Sequence, residues 1–112
     1  MSVVFSYYNR LEGVKDMNLL HLLFSNEILL GNERKMKLDY SLTERYSETD
    51  CSVPYYGVQI TKYLGDTMES EEVTGISYSR DMVVSMIKKL FQYEVTPISM
   101  VEILDDFVSE SV

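Results

Sequence analysis

Residues 76–108, ISYSRDMVVSMIKKLFQYEVTPISMVEILDDFV, carry two stretches of helical apolar periodicity separated by Thr96–Pro97, and this pairing constrains the fold more than any other feature of the chain. In the first stretch Met82, Val83, Met86, Ile87, Leu90 and Phe91 recur at three- and four-residue intervals, which places them on one stripe of a helix, with Arg80, Ser85, Lys88, Lys89 and Gln92 facing out. Ser79 is a suitable N-cap, and the helix must stop before Pro97, because a residue preceding proline is biased away from helical geometry. Thr96 caps the second helix with Pro97 at its first position, and Ile98, Val101, Leu104 and either Phe107 or Val108 form its expected apolar stripe. Ser99 followed by Glu102 offers a competing capping box. Each large side chain buried along such stripes contributes about 1.5–3 kcal/mol before conformational entropy is subtracted, so both helices need an apolar surface to lie on.

The preceding residues supply that surface. Met36, Leu38, Tyr40 and Leu42 alternate with Lys37, Asp39, Ser41 and Thr43, the period-two pattern of a half-buried strand. Gly31–Asn32 tolerates left-handed turn geometry, which predicts a hairpin between strands at 24–30 and 35–46. Residues 44–54 read as a polar loop that exposes Cys51. In residues 55–64 the alternation resumes, with Tyr56, Val58, Ile60 and Leu64 on one side and Tyr55, Gln59, Thr61 and Tyr63 on the other. A second, acidic loop is expected from Gly65–Asp66, and a last strand over 72–78. The fold class is α+β: an antiparallel three- to four-stranded meander followed by two C-terminal helices packed on one sheet face. Residues 1–23 are expected to be an N-terminal arm or short helix. Asp16 precedes MNLLHLLF, which suits either a short helix capped by Asp16 or the approach to a strand through FSNEILL, with a helical turn near 17–22 favoured. Residues 24–112 are expected to be a single α+β domain.

The chain of 112 residues is ordinary in its apolar and charged content and long enough to bury one core without disulfides or metal. Its single cysteine and the absence of a secretory pattern at the start predict a reducing cytoplasm. The apolar run near residues 19–24 is interrupted by His21 and too short for a membrane span. Charge is uneven: residues 64–112 hold 10 of the 18 acidic residues and only three of the 10 basic ones, nearly all of the net −8. A field of that sign disfavours direct nucleic-acid binding, and the small basic patch of Arg34, Lys35 and Lys37 adjoins Glu33.

The order KMKLDYSLTERY, polar loop, YYGVQITKYL, acidic turn, VTGISYS, helix and VTPISMVEILDDFV resembles a family of short uncharacterised proteins from spore-forming anaerobic bacteria of the Clostridium group. The resemblance covers about residues 28–108. Its distinctive pieces are Tyr56–Gly57–Val58, the run Val95–Thr96–Pro97 and the pair Asp105–Asp106. It implies the fold and a cytoplasmic location, and no activity.

Chemistry-bearing residues are few. His21, the one histidine, lies between Leu20 and Leu22 with no carboxylate at helical spacing, and reads as a packed or partly exposed histidine. One His and one Cys fall short of the three or four ligands a zinc site takes, so neither metal nor cofactor is expected. No nucleophile elbow, phosphate-binding glycine loop or dinucleotide fingerprint occurs. Glu71–Glu72 and Asp105–Asp106 are adjacent carboxylates, which point in different directions and read as solvated charge.

Two surfaces remain as candidates. Asp105, Asp106 and Glu110 lie toward the C-terminal end of the last helix, where the macrodipole disfavours negative charge, and with Glu102 they form an acidic face suited to a basic partner. Tyr55, Tyr63 and Tyr78, from a chain with nine tyrosines and no tryptophan, are candidate contacts on the outer sheet face, and a homodimer through that face is expected. The functional expectation is a non-enzymatic acidic interaction protein, a regulator or adaptor that binds another protein. An inhibitor that mimics nucleic-acid charge, of phage-derived anti-defence type, is one version of it. The alternative is a small enzyme or ligand-binding domain using carboxylates and tyrosines in a cleft between sheet and helices, with Tyr40, Tyr56 or Asp39 in the pocket.

Overall fold

The structure, a computed structural model, describes residues 18–46 and 53–111, with the side chains of the last helix as far as Phe107. Four strands, β1 (Asn18–Leu29), β2 (Lys35–Tyr46), β3 (Pro54–Leu64) and β4 (Thr67–Ser77), precede two helices, α1 (Arg80–Gln92) and α2 (Pro97–Ser111). The strands form one antiparallel sheet in sequence order, β1-β2-β3-β4, which is the expected meander, and both helices contact it. Helix α1 crosses all four strands, and α2 lies over β3 and β4.

The period-two residues of the central strands make the core. Leu38, Tyr40 and Leu42 of β2 and Val58 and Ile60 of β3 are fully buried against Val83, Met86, Ile87 and Leu90 of α1, with Val95, Met100 and Leu104 completing the cluster. Ser79 caps α1 as expected, its hydroxyl accepting from the Met82 amide at 3.2 Å. The C-terminal end of α1 closes as a Schellman turn: the Glu94 amide donates to Phe91 and the Val95 amide to Leu90, with Glu94 held at φ 55. That turn tucks Val95 into the core, where its carbonyl accepts the Tyr40 hydroxyl at 2.9 Å. Phe91 lies between Phe24, stacked at 4.7 Å, and Tyr40, edge-on at 5.8 Å.

Four local expectations are corrected. Residues 18–22, where the sequence favours a helical turn, are strand, paired with β2 from Asn18↔Arg45 to Leu22↔Ser41, and the register shifts between Leu22 and Phe24. This bulge disrupts the alternation that would have marked the strand. The acidic loop after Leu64 shrinks to the two residues Gly65–Asp66, with Gly65 at φ 59 as a primed hairpin turn requires, so β4 begins at Thr67. In the β1–β2 turn the left-handed residues are Asn32 and Glu33, and Gly31 is not among them.

The fourth correction has functional weight. Helix α2 buries only the second half of the expected stripe of Ile98, Val101, Leu104 and either Phe107 or Val108. It buries Met100 and Leu104, with Ile103 and Phe107 packed against the core, and leaves Ile98 86% and Val101 53% exposed. Pro97, the first residue of the helix, is buried two positions after the buried Val95, so the helix enters from a seated link.

Candidate functional site

The rotation of α2 assembles a mixed surface that the sequence presents only in separate pieces. Ile98, Val101, Glu102 and Asp105 stand at i, i+3, i+4 and i+7 and are all exposed, so two aliphatic and two carboxylate side chains share one helix face. Asp106 is exposed beside them, while Glu110 lies in the last turn, its side chain outside the described residues. The acidic face expected from Glu102, Asp105 and Asp106 is therefore present, with an apolar half that had been assigned to the core.

The start of α2 faces strand β4 across a cleft of about 300 Å³ lined by Glu69, Ser70, Glu71, Pro97 and Ile98. Cross-strand pairing accounts for the neighbouring charges. Glu69 sits opposite Lys62, which reaches it at 2.8 Å, and Glu72 is held at 2.6 Å by Arg45 from two strands away. Glu71 sits opposite Ile60 and has no basic partner within 4.0 Å among the described residues.

Gly57 stands where β3 and β4 come close. A Cβ there would lie 2.2 Å from the Val73 carbonyl oxygen, 2.7 Å from Thr43 Oγ1 and 2.8 Å from the Thr74 Cα. The β4 backbone and the Thr43 side chain occupy the space a side chain would take. This gives the distinctive Tyr56–Gly57–Val58 triplet a structural cause.

The tyrosines divide into two groups. Tyr55 and Tyr78 meet edge-to-face at 6.4 Å and line a cleft of about 220 Å³ with Gly75, Ile76 and Ser77. Gly75, at φ 67, lets β4 bend beneath the Tyr55 ring. Tyr63 lies at the other end of β3 under the Lys37 ammonium, 5.6 Å from its ring centre. Between them the outer face is polar and hydrogen-bonded, by Ser25 to Asp39 at 2.7 Å and Gln59 to Ser70 at 2.9 Å. The three tyrosines thus form no single patch.

Sequence reading missed one constellation. His21 Nε2 lies 2.9 Å from Glu44 Oε1, and the Tyr46 hydroxyl donates to Glu44 Oε2 at 2.5 Å. That hydrogen bond, reinforced by burial and by the Glu44 charge, pushes the Tyr46 phenol up to about 12. The arrangement holds a histidine and a protonated phenol on one carboxylate. It was hidden because His21 pairs opposite Leu42 in the strand register, which brings Glu44 within reach diagonally. With 17–22 read as helix, that neighbour is invisible. Of the residues expected in an enzymatic cleft, Tyr40 is buried with its hydroxyl engaged by Val95, and Asp39 is on the outer face, held by Ser25. Cys51 lies outside the described residues.

Fold and surface define a one-sheet α+β protein whose helices cover one face and whose acidic flank is formed by β4 and α2. The chain belongs to a family of unknown function, DUF6514, whose model matches residues 20–110 and so begins within β1. No curated protein and no solved structure matches it. Among the described residues, no helix is long and apolar enough to cross a membrane.

Proposed function

We propose that this chain is a non-enzymatic binding protein of the bacterial cytoplasm, a small regulator or adaptor that holds a protein partner against its β4–α2 flank. The observation that carries the reading is the outward placement of Ile98 and Val101 beside Glu102 and Asp105. Exposed aliphatic residues cost solubility and add nothing to the core, whereas beside carboxylates they match a partner surface that is apolar and basic. The lone cysteine and the likeness to Clostridium-type proteins support the location. The outer sheet face carries hydrogen-bonded polar side chains between its tyrosines, which speaks less for self-association through that face.

The test is affinity capture from native cell extract with the wild-type chain and a variant carrying Ile98→Ser, Val101→Ser, Glu102→Lys and Asp105→Lys. The reading requires a protein retained by the wild type and lost by a variant whose circular dichroism and melting are unchanged. An identical set of captured proteins would remove it. In the inhibitor version, where the carboxylates imitate phosphates, capture weakens steeply as salt rises. Salt-independent capture would end that version alone.

A further inference from the structure

We propose that the free edge of β4 takes up an extended, basic segment of a partner protein as a fifth strand, with a Lys or Arg set against Glu71 and an apolar side chain in the Tyr55–Tyr78 cleft. The proposal rests on the reading of the chain as a binding protein and gives the partner segment its chemistry.

Three observations point the same way. In the sheet order, β4 has β3 on one side and no described strand on the other, and Thr67 to Glu72 are all exposed. From Leu64↔Thr67 to Val58↔Val73 its pairing with β3 is unbroken, so the opposite row of backbone donors and acceptors is regular over the same span. Edges of this kind are templates for another strand unless they are charged, bulged or covered. Here the bulge comes only after Val73, and the charge is of one sign.

That charge selects the occupant. Two β4 edges meeting about a two-fold axis would bring Glu69, Glu71 and Glu72 of one copy close to those of the other, and like charges facing across strands destabilise a pair. A basic strand meets the reverse condition. Glu69 and Glu72 already have cations from within the sheet, so Glu71 is the position where an incoming Lys or Arg adds a new pair.

The cleft supplies the second anchor. Tyr55, Gly75 and Tyr78 lie just past the regular stretch, where β4 bends away, and with Ile76 and Ser77 they line the cleft beside the two touching rings. From Glu71 to Ile76 an extended chain travels roughly 16 Å at about 3.3 Å per residue. The partner segment therefore carries its basic and apolar anchors about five residues apart. Buried aromatic anchors ringed by weaker contacts are the usual source of binding energy in such grooves.

The experiment selects short peptides from a displayed random library on the full chain and measures the winners by fluorescence anisotropy. Expected are peptides with Lys or Arg about five positions from an aromatic or aliphatic residue. N-methylation of alternate amides along one edge of the peptide abolishes binding, and the same change along its other edge is tolerated. Glu71→Lys and Tyr78→Ala, both at exposed positions, each weaken binding about tenfold or more. Failure to select any peptide, or binding indifferent to both N-methylation patterns, overturns the proposal. So does a wild-type dimer that Glu71→Lys dissociates, since that gives the edge to a second copy. Should capture from extract be lost with the α2 variant but survive Glu71→Lys and Tyr78→Ala, the binding function stands and the added strand is wrong.

Discussion

Helices α1 and α2 have similar apolar periodicity in the sequence and opposite fates in the structure. Helix α1 spends its whole stripe on the core: Val83, Met86, Ile87 and Leu90 are buried, and Met82 and Phe91 pack beside them. Helix α2 spends Met100, Ile103, Leu104 and Phe107 and leaves Ile98 and Val101 in solvent. The difference follows from position on the sheet. Helix α1 crosses all four strands and packs on the apolar residues of the central ones, while α2 lies toward the β4 edge, where Glu69, Ser70 and Glu71 line the cleft beside Ile98 and offer little apolar surface to cover it. An amphipathic helix at a sheet edge can keep part of its apolar surface for another molecule, and a central one cannot.

Substitutions can break or sharpen this contrast. Leu90→Ala in α1, at 0% exposure, is expected to cost about 2–5 kcal/mol in chemical denaturation, whereas Ile98→Ala in α2 stays within about 0.5 kcal/mol. Similar losses at the two sites would erase the distinction. Gly57→Ala, far from both helices, should cost on the order of 1–3 kcal/mol or more, since backbone and not a flexible side chain blocks the new methyl. If it is neutral, the close passage of β4 over β3 is wrong.

Tyr40→Phe cuts the latch between the sheet and the α1–α2 link and leaves the Val95 carbonyl without its donor, at about 1–3 kcal/mol. The same residue sets an alkaline limit. Burial, aided by the Glu94 charge, raises the Tyr40 phenol from 10.0 to about 12, so the fold keeps a proton that the unfolded chain releases. This contribution is complete below about pH 10 and is lost as pH rises toward 12, and Tyr46 adds a loss of the same sign. Stability measured across that window should fall less steeply in Tyr40→Phe than in the wild type, and parallel slopes would refute the assignment. One substitution is expected to be a gain. Glu94→Gly relieves a left-handed non-glycine residue at the Schellman turn and should raise stability by about 1 kcal/mol, read as a higher denaturation midpoint.

What the sequence discloses follows the same division. The central strands and α1 were legible because each shows one clean period, and a fully used stripe is its own evidence. The meander followed from short polar connections. Strand β1 was half hidden because the bulge near Leu23 puts consecutive leucines on changing faces, and this concealed the His21–Glu44–Tyr46 group with it. The length of β4 was hidden because its glutamates resemble a loop, although each stands at an edge where charge is tolerated. The acidic residues of α2 could be singled out from their conflict with the helix dipole. The rotation that places Ile98 and Val101 beside them depends on how Val95 and Pro97 seat in the core, and no local periodicity encodes that.

The rotation of α2 is best tested by the neighbouring pair Met100 and Val101, each changed to alanine and compared by chemical denaturation. Met100→Ala is expected to cost about 2–5 kcal/mol and Val101→Ala no more than about 0.5 kcal/mol. Equal costs, or the reverse order, would contradict the outward apolar–acidic face on which the proposed binding function rests.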